Sequence, residues 1–136
     1  MKTPKDVMKE WVAGYNVRDA KAIADLYHED AINHQVAGGD PVRGREAIER
    51  DLTSFFEAFP DNYTRIENLF QDGEWAMLEW SGGGTMKGEL WPFKATGRSC
   101  SLRGCGFFHI VDGKIKFQRG YWDKLSWFSQ LGLPVT

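Results

Sequence analysis

Residues 107–123 read FFHIVDGKIKFQRGYWD and have the pattern of a β-hairpin. Two runs of aromatic and β-branched residues flank Asp112-Gly113, a dipeptide favoured in two-residue hairpin turns. The same arrangement occurs upstream, where Asp72-Gly73 divides another pair of such runs. The sequence from Tyr63 onward therefore predicts two β-hairpins, joined by a wide connection that begins at the three glycines 82–84.

Three helices are predicted in the first 60 residues, and a further short helix is predicted after Asp123, through Gln130. Thr3-Pro4 is typical of a helix start, and a helix is predicted to about Tyr15. Asp19 caps a second predicted helix, and a third ends at Pro60. The third helix has the most regular apolar stripe, formed by Ile48, Leu52, Phe55, Phe56 and Phe59. Helices followed by a largely antiparallel sheet predict an α+β fold, and 136 residues suit one domain over 1–136.

A twisted sheet wrapped around helices encloses space beneath its concave face, and that space is the expected ligand site. Aromatic residues make up 14% of the chain, so a bulky, irregular interior with a cavity is expected. An alternative is that these aromatics only fill the core. The residues predicted to line the pocket are Trp11, Tyr15, His34, Phe56, Trp80, Trp91, Phe107 and Tyr121.

Composition excludes several kinds of partner. Lys and Arg total 17 against 19 Asp and Glu, without a basic run, so neither nucleic acid nor an anionic membrane is expected as a partner. No apolar stretch has the length of a signal peptide or a membrane span, which predicts a cytoplasmic protein. Cys100 and Cys105 lie on one predicted strand, roughly 16 Å apart, too far for a disulfide and in keeping with reduced thiols.

No cofactor or metal site is predicted. The sequence has no glycine-rich phosphate loop, no Gly-x-Ser-x-Gly motif and no paired-cysteine zinc pattern. His28, His34 and His109 are widely separated along the chain. The chemistry left open is cofactor-free catalysis or simple binding.

Asp123 and His109 are the candidate catalytic residues. Asp123 follows an aromatic strand, and burial there would raise its pKa and make it a better general base. The alternative is that Asp123 caps the helix that follows. His109 is a candidate donor to an enolate, or else a histidine at a sheet edge.

The register of the second hairpin decides whether these two residues can cooperate. A two-residue turn at Asp112-Gly113 places His109 opposite Lys116, and Asp123 then faces the other side of the sheet. A bulge near Gly120 would bring both side chains to one face. The two-residue site therefore requires that bulge.

Several segments resemble a known family. Those that resemble the nuclear-transport-factor-2-like superfamily are LYHEDA at 26–31, GREAI at 44–48 and FPD at 59–61. The C-terminal third resembles the SnoaL-like polyketide cyclases in HIVDGKI at 109–115, YWD at 121–123 and SQLGLP at 129–134. The resemblance implies a cone-like α+β barrel, dimerisation through the sheet, and an intramolecular aldol ring closure without cofactor. It also implies that Asp123 acts as acid and base, with His109 assisting.

The expected function is a cyclase-type enzyme of the lyase or isomerase class, acting on a small polyketide-like carbonyl compound. One alternative is a non-catalytic protein that binds a small apolar ligand on the same scaffold. Another is an epoxide hydrolase that resembles the limonene epoxide hydrolases, for which Arg103 and Asp123 would supply two groups of an Asp-Arg-Asp set. Ketosteroid isomerases share the scaffold, but Gln35 stands where their base would be and cannot take a proton.

Overall fold

A computed structural model describes residues 1–135. The elements in chain order are α1 (Pro4–Val17), α2 (Ala20–Ala24), β1 (Tyr27–Gln35), β2 (Val42–Arg43), α3 (Arg45–Ala58), β3 (Tyr63–Asp72), β4 (Trp75–Thr85), β5 (Ser99–Val111), β6 (Lys114–Trp122) and α4 (Lys124–Leu131). The α+β class and the two predicted hairpins, β3–β4 and β5–β6, are confirmed.

The six strands form one mixed sheet in the order β2-β1-β6-β5-β4-β3. Neighbours are antiparallel except β1 and β6, which run parallel. The sheet is therefore largely antiparallel, as predicted. It does not close, because β2 and β3 remain at its two edges.

The first helix begins as its sequence predicts. Thr3 Oγ1 accepts a hydrogen bond from the Asp6 amide at 3.1 Å, and Asp6 Oδ2 accepts one from the Thr3 amide at 3.1 Å. This reciprocal pair satisfies two backbone donors that the first turn would otherwise leave free. The helix runs past Tyr15 and ends at Arg18, which adopts a left-handed conformation with φ 55°.

The three glycines 82–84 lie inside β4 rather than in a connection, which corrects the prediction. A Cβ atom at Gly82 would collide with the carbonyl oxygen of Tyr63, and one at Gly83 with that of Cys100. Only glycine allows such a close approach, so the run keeps the ends of three strands together. The connection to β5 covers residues 86–98 instead.

The main core lies between the concave face of the sheet and the helices. Apolar residues of α1 and α3, such as Met8 and Ile48, pack against Leu78, Phe108 and Ile115 of the sheet. A second cluster joins Phe59 at the end of α3 to Phe128 and Leu131 of α4. These two clusters hold α1 and α3 over the sheet and leave room between them.

Neighbouring residues on adjacent strands share a face of the sheet. On the inner face, Leu78, Gly106 and Gly120 are direct partners across β4, β5 and β6. The ring of Phe108 lies over Gly106, at 3.0 Å from where a Cβ would be, and the amide of Gln35 lies over Gly120. The glycine pair thus allows two side chains to lie flat against the sheet.

Candidate active site

A cavity of about 380 Å³ lies between the inner face of the sheet, α1 and α3. The aromatic residues in its wall are Trp11, Tyr15, Phe55, Phe59, Tyr63, Trp80, Phe108, Trp122 and Trp127. A cavity of this size and lining suits a small, flat, largely apolar molecule.

One chain of hydrogen bonds runs from α1 to the cavity wall on β6. The indole Nε1 of Trp11 donates to the Tyr27 hydroxyl at 3.0 Å, and that hydroxyl donates to Gln118 Oε1. Tyr27 and Gln118 are both buried, with 1% and 4% of their surface exposed. Burial raises the pKa of Tyr27, so the hydroxyl keeps its proton.

A second chain of hydrogen bonds runs along the wall on β1. Trp122 Nε1 donates to Gln35 Oε1 at 2.9 Å, and Gln35 Nε2 donates to Asn33 Oδ1 at 2.7 Å. A Cβ at Gly120 would collide with the amide of Gln35. This second chain therefore depends on glycine at position 120.

Two carboxylates among residues 1–135 line the cavity, Asp40 and Asp51. Asp51 lies on α3 at the rim, where its side chain keeps contact with solvent. Partial burial raises the pKa of Asp51, and the nearby positive charge of Arg50 opposes this only in part. Asp51 is thus an exposed carboxylate in the cavity lining whose pKa is shifted in the direction that favours a general base.

The cavity lining also includes the polar side chains of Tyr15 and Asn62. Burial raises the pKa of Tyr15, which keeps its hydroxyl neutral. Asn62 is 4% exposed, and its Nδ2 donates to the Tyr15 carbonyl at 3.3 Å. Its Oδ1 has no hydrogen-bond partner among the described residues.

Asp123 caps α4. Its Oδ1 accepts a hydrogen bond from the Ser126 amide at 2.9 Å, and its side chain is exposed at the end of β6. Asp123 is not among the cavity-lining residues. The structure thus shows the capping role that the sequence left open, while the catalytic role stays a prediction.

His109 lies on the outer face of the sheet. Its ring stacks on Trp75 with centroids 4.7 Å apart, and its Nε2 lies 3.1 Å from Glu74 Oε1. The hairpin does contain a bulge, but at Lys116 rather than near Gly120, so His109 pairs with Phe117. This bulge puts position 123 in phase with His109, but on the outer side of the sheet, and neither residue lines the cavity.

Of the residues predicted to line the pocket, the wall includes Trp11, Tyr15 and Trp80. Phe107 and Tyr121 do not line the cavity, because they lie on the outer face with His109. Their rings meet edge to face, with centroids 6.4 Å apart. Strand alternation corrects these two assignments.

His34, Phe56 and Trp91 also lie outside the cavity. His34 alternates with its neighbours Asn33 and Gln35, so it faces the other side of β1. Phe56 is buried in the core, where its ring meets that of Tyr15 edge-on. Trp91 is 84% exposed in the connection between β4 and β5.

Sequence reasoning missed the amides and the rim carboxylate. The sequence signal for Gln118 was weak, because it shares its strand with other polar residues such as Lys116 and Arg119. Asp51 immediately precedes the apolar Leu52 of α3, which places it beside the buried stripe. Neutral amides carry no motif, so their convergence became visible only in three dimensions.

Within residues 1–135, no group of three or more His, Cys, Asp or Glu side chains is placed to hold a metal ion. Cys100 and Cys105 are unpaired. In the same range, none of the helices combines the length and the apolar character that crossing a bilayer requires.

Comparison with known proteins adds the family. The model of the SnoaL-like polyketide cyclases matches residues 5–131. The chain belongs to this family. Aklanonic acid methyl ester cyclase DnrD of Streptomyces peucetius is 30% identical over 136 residues, covering 98% of this chain and 94% of that protein. Aklanonic acid methyl ester cyclase DauD of Streptomyces sp. (strain C5) is 29% identical over 131 residues, covering 95% of this chain and 81% of that protein.

Solved structures share the fold of this SnoaL-like chain. TsrD from Streptomyces laurentii superposes with a TM-score of 0.83 at 22% identity, covering 96% of this chain and 95% of that one. A protein from Catenulispora acidiphila with a ketosteroid isomerase-like fold superposes with a TM-score of 0.82 at 21% identity, covering 98% of this chain and 97% of that one. These similarities confirm the fold predicted from the sequence.

The cap at Asp123 yields a stability prediction. Asp123→Ala removes the acceptor for the Ser126 amide and should lower the free energy of unfolding by about 1 kcal/mol. Asp123→Asn keeps a good cap and should change it by less than about 0.5 kcal/mol. Urea denaturation measures both, and equal losses in the two variants would contradict the capping role.

Proposed function

We propose that the protein is a cyclase-type enzyme that closes a ring in a small polyketide-like carbonyl compound by cofactor-free acid/base chemistry. The supporting observation is the position of Asp51 at the rim of an aromatic cavity, where partial burial raises its pKa. Similarity to cyclases named for aklanonic acid methyl ester supports the substrate class.

The proposed reaction uses one carboxylate twice. The Asp51 carboxylate removes a proton from a carbon between two carbonyl groups, which leaves an enolate. The enolate carbon attacks a third carbonyl carbon, further along the same molecule, so a C–C bond closes the ring and the oxygen of that carbonyl becomes an alkoxide. The alkoxide takes the proton back from the Asp51 carboxylic acid, and atoms and charges balance.

The raised pKa of Asp51 suits both steps. A carboxylate with a higher pKa is a stronger base, and its conjugate acid remains able to return the proton. A positioned general base of this kind contributes roughly 10²- to 10⁴-fold to a rate. The aromatic wall would hold the chain of the substrate folded, so that the two reacting carbons stay near each other.

The family resemblance assigns the base to Asp123 with His109 instead. That assignment requires a ligand that reaches the exposed end of β6, because Asp123 caps α4 there. The two assignments make opposite predictions for two matched Asp→Asn substitutions.

Asp51→Asn should lower the catalysed exchange of the acidic carbon proton of 1-phenylbutane-1,3-dione by about 100-fold or more. Asp123→Asn should leave it within about threefold, because the cap survives. Exchange into D2O is followed by NMR, after subtraction of the buffer rate. The opposite pattern would assign the base to Asp123.

The pH profile gives the same test a second readout. A base must be deprotonated, so the rate should rise with pH through an ionisation above the ordinary Asp range, because the pKa of Asp51 is raised. The pH profile of Asp51→Asn should lack this rise.

A non-catalytic binding protein is the competing proposal. The observation that favours it is the position of Asp123 and His109, which both lie outside the cavity. It predicts tight binding of the diketone with no exchange above the buffer rate in the unsubstituted protein.

We propose that the protein is a homodimer that associates through the outer face of the sheet. Large apolar residues are exposed there, Phe70 at 58%, Tyr121 at 43% and Trp75 at 37%. A stable homodimer commonly buries about 800 Å² or more per partner, and such residues supply the apolar centre of that area.

Phe70→Glu should shift the protein to a monomer in sedimentation velocity, because the substitution places a charge in the apolar contact. Leu125→Glu is the matched control, since Leu125 is 62% exposed but lies on α4. A monomeric unsubstituted protein, or dissociation by both variants, would contradict the proposed interface.

A further inference from the structure

We infer that the side-chain NH2 groups of Asn33 and Gln118 form a paired donor site for one oxygen of the ligand, a carbonyl oxygen that becomes an enolate. Both residues line the cavity and are direct partners across β1 and β6. The enolate part of this inference rests on the proposed function, whereas the donor site itself does not.

The chain of bonds from Trp11 fixes the orientation of the Gln118 amide. An indole N–H can only donate, so the Tyr27 hydroxyl accepts from Trp11 and uses its single proton to donate to Gln118 Oε1. The oxygen of the Gln118 amide is therefore occupied. Its NH2 group has no protein acceptor among the described residues and is left for the cavity.

The chain of bonds from Trp122 fixes the Asn33 amide by the same rule. The Trp122 indole donates to Gln35 Oε1, so Gln35 presents its NH2 group to Asn33 Oδ1. The Asn33 oxygen is then occupied, and its NH2 group remains. Two separate chains, each starting at an indole donor, thus end at two neighbouring NH2 groups.

The paired donors select a kind of ligand atom. Asn33 and Gln118 are paired across two parallel strands, which lie roughly 5 Å apart, so two amides that face the same cavity can reach one oxygen. Donors without an accompanying acceptor favour an oxygen that carries negative charge. Because both donors are neutral, the site fits a carbonyl or a singly charged enolate, and each donor strengthens its bond as charge develops.

The site is organised before a ligand arrives. Gln118 is 4% exposed, and its partner Tyr27 is 1% exposed, so water contributes little to holding the amide in place. Fixed donors need no reorganisation when charge develops, and removing one such donor commonly costs about 10²- to 10³-fold in rate. Gln118 and Asn33 would contact the ligand, whereas Tyr27, Trp122 and Gln35 are positioning residues.

The test uses 4-nitrophenol, whose ionised form is read from its visible absorbance. Hydrogen bonds to a charged oxygen are stronger than those to a neutral one, so the bound phenolate should be favoured over the bound phenol. Gln118→Leu removes one donor at nearly constant volume. It should shift the ratio of the two dissociation constants toward the phenol by about tenfold or more.

Two indoles of the cavity wall provide a matched pair. Trp122→Phe removes the N–H that starts the second chain and should shift the ratio in the same direction. Trp127→Phe removes an indole that also lines the cavity but belongs to neither chain, and should leave the ratio unchanged. Tyr27→Phe tests the first chain in the same way.

The background of the test is Asp51→Asn, which removes the rim carboxylate from the titration. Equal ratios in this protein with and without Gln118→Leu, or equal shifts from Trp122→Phe and Trp127→Phe, would overturn the donor site. If the phenolate preference holds while Asp51→Asn leaves carbon-proton exchange intact, the donor site stands and the proposed base fails.

Discussion

The pairing of Gly106 with Gly120 in the middle of the sheet is the constraint on which the rest of the site depends. Because neither residue has a side chain, the ring of Phe108 and the amide of Gln35 lie flat on the sheet. The ring of Phe108 forms part of the cavity wall. The oxygen of the Gln35 amide accepts a hydrogen bond from the Trp122 indole, so the NH2 group of Gln35 donates to Asn33 Oδ1.

The sheet separates two kinds of surface. Its inner face carries the cavity, with neutral amides fixed by buried donors and a carboxylate at the rim. Its outer face carries Phe70, Phe107 and Tyr121 and suits contact with another apolar surface. The single bulge at Lys116 sets this division for β6, because it puts His109 opposite Phe117 on the outer face.

Local signals predicted most of the fold. The two Asp-Gly turns gave the hairpins, the apolar stripe gave α3, and Thr3 with Asp6 gave the start of α1. Each of these depends on residues that are close in sequence, where spacing translates directly into geometry.

The site depends on contacts between distant residues, which spacing does not encode. Tyr27 and Gln118 are 91 residues apart, and Trp122 and Gln35 are 87 apart. The position of one bulge decided which strand residues face inward, and a bulge at Lys116 has no sequence signal comparable to Asp-Gly. Asp123 illustrates the remaining ambiguity, because the same residue type serves as a helix cap and as a base.

The proposed function and the donor site together place a carbonyl compound in the cavity, with one of its oxygens on the paired amides. A crystal structure of the protein with bound 1-phenylbutane-1,3-dione tests it most directly. We expect one diketone oxygen within hydrogen-bond distance of both Gln118 Nε2 and Asn33 Nδ2, and the carbon between the carbonyls to lie nearest to Asp51. A diketone bound on the outer face beside His109, or in the cavity with both oxygens away from the two amides, would contradict it.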